Sequence, residues 1–215
     1  MALNNLDLAA LVSSRICHDL ISPIGAINNG LELLNMSGLV HDGPEIQLIG
    51  DSVKSASARI HFFRIAFGAA SEDVIGQTEV VSILDDMFDS GRLTVAWKPV
   101  DGQMRKSVRR AFLAIQCLES AMPYGGQINV SSSKTSWKIS GQADKLGEFE
   151  LLWNEPTSTK TSAAHVQFVL LKNAVLTDGL EIRVTQTSNE ITILRVLEDP
   201  KKVLLFESKW ILVSV

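Results

Sequence analysis

His18 and Asp19 are the residues of this chain whose types and order point most directly to chemistry. A neutral imidazole nitrogen can attack a phosphoryl group, and a neighbouring carboxylate can orient the ring or accept its other proton. Pro23 follows four residues after Asp19, so it removes the helical hydrogen bond to the Asp19 carbonyl and bends the helix beside the histidine. A lone histidine on a helix is usually only a surface residue, so these residues make His18 a candidate nucleophile whose support must come from its surroundings.

The helical face through His18 combines small and polar residues. Its members are Leu11, Ser14, Arg15, Ser22, Gly25 and Asn29. The opposite stripe of the same helix is aliphatic, so His18 is expected to point to solvent from the outside of a helical bundle. Because Ser22 and Gly25 add little bulk beside it, a partner protein could approach the histidine closely.

Other chemistries fit these residues less well. Cys17, His18 and Asp19 do not form a protease-like triad, because adjacent side chains on a helix diverge by about 100° and Cys17 is expected near the buried side. A metal site needs a second ligand at i+3 or i+4, where the chain has Ile21 and Ser22. No comparable context surrounds the other histidines, which are His41, His61 and His165.

Residues 1–70 are predicted to form a domain of two long antiparallel helices, joined by a short connection at 35–43. The first helix has an aliphatic stripe at Val12, Ile16, Leu20, Ile27, Leu31 and Leu34. Apolar residues in the second alternate at spacings of three and four, at Ile46, Ile49, Val53, Ala56, Ile60, Phe63 and Phe67. This spacing is typical of a coiled-coil or bundle seam.

Two helices alone cannot bury both seams. Exposure would cost roughly 1.5–3 kcal/mol per aliphatic side chain relative to burial, so a second copy of the hairpin is expected to close a four-helix bundle. The sequence therefore predicts a homodimer through residues 1–70. In the alternative, the C-terminal half of the same chain covers the seam.

Composition limits the remaining function classes. The 215-residue chain is 46% hydrophobic and 20% charged, as in packed globular proteins. The net charge of −4 disfavours nucleic acid as a partner. The basic cluster at 105–110 is interpreted as a solvated helix face, with docking of an acidic partner protein as the lesser alternative. Without an apolar run of roughly 18–20 residues or a signal-peptide pattern, we expect no membrane partner and a cytoplasmic location. Cys17 and Cys117 are expected to be free, reduced thiols.

The pattern changes near residue 75, and residues 76–215 are predicted to form a second domain. Helices are predicted over 80–88, 104–122 and 163–176, and strands over 93–97, 128–131, 136–140, 148–153, 180–186 and 190–197. Helices alternating with a meandering sheet indicate a two-layer α/β sandwich, which makes the whole chain α+β. The apolar stretch 203–215 fits one more strand, and a non-native or swapped extension is the alternative.

The run from Arg15 to Pro23 resembles the phosphoacceptor box of two-component histidine kinases, His-Asp/Glu-x-x-Asn/Ser/Thr-Pro. Over Ser14–Leu34 the chain closely resembles the ChpT family of alphaproteobacterial histidine phosphotransferases. That resemblance implies a dimerisation and phosphotransfer domain and a degenerate histidine-kinase ATPase (Bergerat) domain. It also implies transfer through His18 from the receiver domain of the hybrid kinase CckA to the response regulators CtrA and CpdR, in cell-cycle control.

The nucleotide-binding motifs of kinases are altered in all three places where the resemblance locates them. Gln116 and Ser120 stand where two asparagines would hold Mg²⁺ and phosphates, and residues 139–143 lack the adenine-binding acid. The lid region 157–164 contains no glycine to wrap a triphosphate. We therefore expect no ATP binding and no cofactor in this chain, with Mg²⁺ on the partner receiver domain.

The expected catalytic residues are His18 and Asp19, the role of Asp19 being implied by the resemblance. Receiver docking is expected to involve Arg15, Ile21, Ser22, Ile24, Gly25, Asn28, Arg59 and Phe62. Phe62 lies off the seam, and its packing against the second domain is an equal alternative. Ser22 replaces the residue that often positions a hydrolytic water, which leaves phosphatase activity open. The competing functions are an ATP-dependent histidine kinase and a non-catalytic adaptor.

Overall fold

The structure is a computed structural model that describes residues 5–37, 43–89, 91–133, 136–147, 149–154 and 162–196. It confirms the α+β class, with a long helical hairpin followed by an α/β sandwich. The predictions for His41, for the stretch 203–215 and for most of the lid region lie outside the described residues.

The hairpin consists of α1 (Asn5–Ser37) and α2 (Pro44–Ala66). Pro44 occupies the first helical position after Gly43, where a missing backbone N–H costs nothing. Pro23 lies inside α1, and the helix continues on both sides of it. The helices approach closely at Gly30, where a β-carbon would lie 2.6 Å from Cγ1 of Ile49. A larger residue at position 30 would therefore force the helices apart.

The α/β portion (residues 74–196) follows the hairpin. Its helices are α3 (Gln77–Phe88), α4 (Arg105–Ala121), α5 (Phe149–Asn154) and α6 (Val166–Thr177), with a 3₁₀ turn at Ala163–His165. Its strands are β1 (Val74–Ile75), β2 (Leu93–Trp97), β3 (Gln103–Met104), β4 (Gly126–Ser132), β5 (Ser136–Gln142), β6 (Glu181–Gln186) and β7 (Glu190–Val196).

Five of these strands form one sheet in the order β2-β4-β5-β7-β6. Strands β2 and β4 are parallel, and the other neighbours are antiparallel. Ile128 and Val130 of β4 are buried beneath α4, whose own apolar residues are almost all buried. This arrangement confirms the predicted two-layer sandwich.

One predicted strand is wrong. Residues Phe149–Asn154 form α5, where the rings of Phe149 and Trp153 stack with centroids 5.8 Å apart. Four residues rise about 6 Å along a helix but about 13 Å along a strand, so this contact requires the helix. A run of six residues is too short for its pattern to distinguish the two, and its aromatic residues favoured a strand.

The last turns of α2 belong to the core of the α/β portion. Phe62 is fully buried, stacks on Phe112 of α4 at 4.6 Å, and meets the edge of Phe88 of α3. The interpretation of Phe62 as a receiver contact is therefore wrong, and the alternative of packing against the second half is confirmed. The reason is its position on α2, which faces α3 and α4 instead of solvent.

Replacing Phe62 with alanine is expected to lower the free energy of unfolding by about 3–5 kcal/mol, because a cavity would open between two packed rings. Urea denaturation followed by circular dichroism measures this loss. The matched control is Leu48→Ala, which truncates an exposed apolar side chain on the same helix. Equal losses in the two variants would contradict the anchoring role of Phe62.

Candidate functional site

His18 projects from α1 with 84% of its side chain exposed, as its helical face predicted. Its Nδ1 lies 3.0 Å from Oδ1 of Asp19. When Nδ1 carries the ring proton, it donates to this carboxylate and Nε2 keeps its lone pair toward solvent. The geometry therefore suits a nucleophilic imidazole, in which Nδ1 is bonded to Asp19 and Nε2 is accessible to a partner.

Asp19 is largely buried, with 10% of its side chain exposed, and both of its oxygens are used. Oδ2 accepts a hydrogen bond of 2.7 Å from Nε of Arg15, one turn earlier on α1. Arg15 also donates from Nη1 to the carbonyl of Ala164, at 2.7 Å. Because its side chain is 17% exposed and doubly bonded within the chain, Arg15 offers little surface for the docking role predicted for it.

The α1 residues that follow His18 form an open surface, which we call the docking flank: Ile21, Ser22, Ile24, Gly25 and Asn28. The side chains of all but Gly25 are exposed. A β-carbon built on Gly25 would meet no atom within 4 Å. The structure thus places these five predicted contacts together beside the histidine, where a partner can reach them.

Arg59 and Phe62 do not join the docking flank. Phe62 is in the core, and Arg59 lines a cleft of about 500 Å³ between α2, α3 and the end of α4. Nε of Arg59 is buried and has no hydrogen-bond partner among the described residues. The sequence patterns placed both residues on one exposed helix side, because they carried no information on how α3 and α4 cover α2.

Glu119 of α4 is a neighbour of the site that the sequence analysis missed. Burial raises the pKa of its carboxyl group, and the positive charges of Arg15, Arg59 and Arg92 oppose that shift. An acidic residue near the end of an otherwise apolar helix face was the available signal. Glu119 therefore lies near Arg15 and Arg59 and lines the cleft.

Cys17 is exposed, and the expectation that it lies near the buried side is wrong. The α/β portion covers α1 mainly through Leu8, Leu11, Val12 and Ile16, and this cover does not extend to Cys17. Cys117 is buried, and burial raises the pKa of its thiol. Both cysteines are free, as expected.

The face of α4 that carries Gln116 and Ser120 packs against α6 in this structure. Gln116 is buried, and Oγ of Ser120 accepts a hydrogen bond of 2.8 Å from Nε2 of Gln167. Gln167 also donates to the Ala164 carbonyl at 2.9 Å. Within the described ranges, no cluster of residues suited to a metal ion is found, and no helix is long and apolar enough to span a membrane.

The α/β portion decides the family. The family profile described as the histidine phosphotransferase C-terminal domain matches residues 77–190. The chain belongs to the histidine phosphotransferase family. Its similarity to the protein phosphotransferase ChpT of Brucella abortus (strain 2308) is 39% identity over 133 residues, which is 60% of this chain and 63% of that relative. The aligned region thus spans less than two thirds of that relative's length.

A solved structure extends the similarity of this chain to the hairpin. The structure of a bacterial phosphotransferase superposes with a TM-score of 0.75 and 29% identity, covering 91% of this chain and 98% of the other. Because a match of that extent includes most of α1 and α2, the hairpin and the sandwich occur together in that relative as well.

Acid is expected to weaken the fold of this family member through His165, a residue of the 3₁₀ turn that lies near Arg15 of α1. Burial, followed by the charge of Arg15, lowers the pKa of His165. As the pH falls, the unfolded chain therefore takes up a proton on this histidine before the folded chain does. The stability that His165 contributes is present above its ordinary pKa of about 6.5, and it is lost as the pH falls toward the lowered pKa of the folded state.

Unfolding free energies measured between about pH 7 and pH 5 check this expectation. Wild type is expected to lose more stability over this interval than His165→Gln. His61→Gln, which removes an exposed histidine of α2, is the matched control. A constant difference between wild type and His165→Gln at every pH would contradict the prediction.

Proposed function

We propose that this protein relays phosphoryl groups between receiver domains through His18, as a histidine phosphotransferase of a two-component phosphorelay. The observation that carries the proposal is the exposed imidazole whose Nδ1 faces the buried carboxylate of Asp19. Membership of the histidine phosphotransferase family and similarity to a protein phosphotransferase support it. Residues 1–70 serve as the dimerisation and phosphotransfer domain, and residues 76–215 as the second domain.

The chemistry is an in-line transfer from an aspartyl phosphate. The lone pair of His18 Nε2 forms the N–P bond while the acyl O–P bond breaks, and the receiver carboxylate leaves with the electron pair. The ring keeps a proton on Nδ1 and gains positive charge, which the Asp19 carboxylate offsets at 3.0 Å. The reverse step passes the group to the next receiver, and catalysis consists mainly of positioning.

The docking flank provides the surface for these receivers. Ile21 and Ile24 give apolar contact area, and Gly25 lets a partner backbone approach α1. From the family resemblance, the donor is a CckA-like hybrid-kinase receiver and the acceptors are CtrA- and CpdR-like regulators, acting in the cytoplasm in cell-cycle control. The receiver brings the Mg²⁺ on which its own aspartate depends.

We propose further that the protein does not draw its phosphate from ATP. The face of α4 with Gln116 and Ser120 is buried against α6 through Gln167. A nucleotide would have to displace this packed helix and its hydrogen bonds, which favours a protein donor.

Replacing His18 with alanine is expected to abolish transfer, because no other described imidazole has a carboxylate partner at hydrogen-bond distance. The assay follows labelled phosphate from a phosphorylated CckA-type receiver to a CtrA-type receiver. His61→Ala, which removes an exposed histidine on α2, is the matched control.

Each competing function gives a different result in this assay. Transfer that persists in His18→Ala would remove His18 from the relay, and receiver binding without transfer in wild type would favour a non-catalytic adaptor. Labelling of the wild type by ATP alone would establish a histidine kinase.

The homodimer is supported by the seam that the chain leaves uncovered. The α/β portion packs on the first turns of α1. The alternative, in which the C-terminal half of the same chain covers the seam, therefore holds only for that end of the hairpin. Farther along the hairpin part of the predicted seam stays exposed, and Ile60 retains 50% of its surface. Exposed members of both helices are Leu31, Ile46, Val53 and Ile60. A second hairpin would bury them in a four-helix bundle.

Val53→Asp is expected to convert the dimer to a monomer, because a carboxylate in an apolar seam has no partner for its charge. Sedimentation velocity across a concentration series measures the change. Val100→Asp introduces the same charge at an exposed valine outside the hairpin and should leave the dimer intact. A monomeric wild type, or a dimeric Val53→Asp, would reject the seam as the interface.

A further inference from the structure

We propose that Arg15 is a positioning residue that couples the α/β portion to the phosphoacceptor histidine. The inference rests on the proposed function of His18 and assigns a role in it to the α/β portion. Three contacts connect the α/β portion to His18. In the first two, Arg15 donates hydrogen bonds of 2.7 Å to the Ala164 carbonyl and to one oxygen of Asp19. The other Asp19 oxygen lies 3.0 Å from Nδ1 of His18.

Arg15 fixes the carboxylate that faces the imidazole. A carboxylate bonded at one oxygen cannot rotate freely about its Cβ–Cγ bond, so the other oxygen stays directed at the ring. The guanidinium is planar and carries several donors in fixed directions, which lets it hold the carboxylate and a carbonyl at once. Both side chains are mostly buried, so water competes less for this pair than for an exposed one.

The carbonyl that holds Arg15 is itself fixed to the core. Ala164 lies in the 3₁₀ turn before α6, and its oxygen accepts a second hydrogen bond, from Gln167. Gln167 is fully buried and donates also to Ser120 of α4. The position of Arg15 therefore depends on the packing of α6 against α4, and a shift of this turn relative to α1 would remove one of the two contacts that hold its guanidinium.

This role differs measurably from docking. A docking residue changes the affinity for the receiver, whereas a positioning residue changes the rate of the bound complex and the protonation pattern of the ring. Without Arg15, the carboxylate can turn to water, and His18 then loses its preference for the proton on Nδ1.

The kinetic test uses the full chain with saturating phosphorylated receiver in single turnovers. Arg15→Ala should transfer phosphate about 10-fold more slowly at saturation. The receiver concentration for half-saturation should stay within about twofold, since docking is unaffected. The matched control is Arg183→Ala, which removes an arginine whose Nε lies 2.7 Å from Glu181 on β6, and it should transfer at the wild-type rate.

A double-mutant cycle tests whether Arg15 acts through Asp19. If it does, Arg15→Ala combined with Asp19→Ala should be no slower than Asp19→Ala alone, because the carboxylate through which Arg15 acts is already gone. Two results would overturn the proposal in favour of direct contact with the receiver. One is that the rate losses of the two single variants add in the double variant, and the other is that Arg15→Ala changes only the receiver concentration for half-saturation.

The spectroscopic test needs no receiver, which separates this inference from the proposed function. Nitrogen-15 spectra of the histidine rings, with His18 assigned by its absence in His18→Ala, report which nitrogen holds the proton. Arg15→Ala should shift His18 toward the Nε2-protonated form, and Arg15→Lys, which keeps the charge and is the variant of choice if the alanine variant does not fold, should shift it less. An unchanged ring spectrum overturns the positioning role, even if wild type transfers no phosphate.

Discussion

The burial of the end of α2 in the α/β core is the constraint on which the arrangement of this molecule depends. The ring of Phe62 lies flat on Phe112, and one hydrophobic core runs from the hairpin into the sheet. Because the two helices are antiparallel, fixing this end of α2 also fixes the first half of α1. The contacts of Arg15 with the 3₁₀ turn follow from that anchoring.

The hairpin consequently has two parts with different surroundings. Its anchored end buries apolar residues within the chain, and its free end presents an aliphatic seam together with the docking flank. His18 lies where the two parts meet. This position gives the histidine a rigid support on one side, through Asp19, and open access on the other.

Features that depend on local periodicity could be predicted from the sequence. The two helices, their seam and the exposure of His18 follow from apolar spacing and from the small residues at Ser22 and Gly25. The role of Arg15 could not be predicted, because its carbonyl partner is 149 positions away in the chain. Likewise, the burial of Phe62 and the exposure of Cys17 depend on which parts of the hairpin the later helices cover. The short α5 was missed because six residues with aromatic content satisfy either periodicity.

In the proposed relay, the exposure of His18 would affect how long it holds a phosphoryl group. With most of the imidazole in solvent, an N–P bond formed there would be as accessible to water as to a receiver. Among the described residues no segment folds over the ring to shield it. A site of this shape suits brief occupancy, in which the group leaves for the next protein soon after it arrives. Signal output would then follow the donor closely in time and would fade when the donor stops, because little phosphate is retained between them.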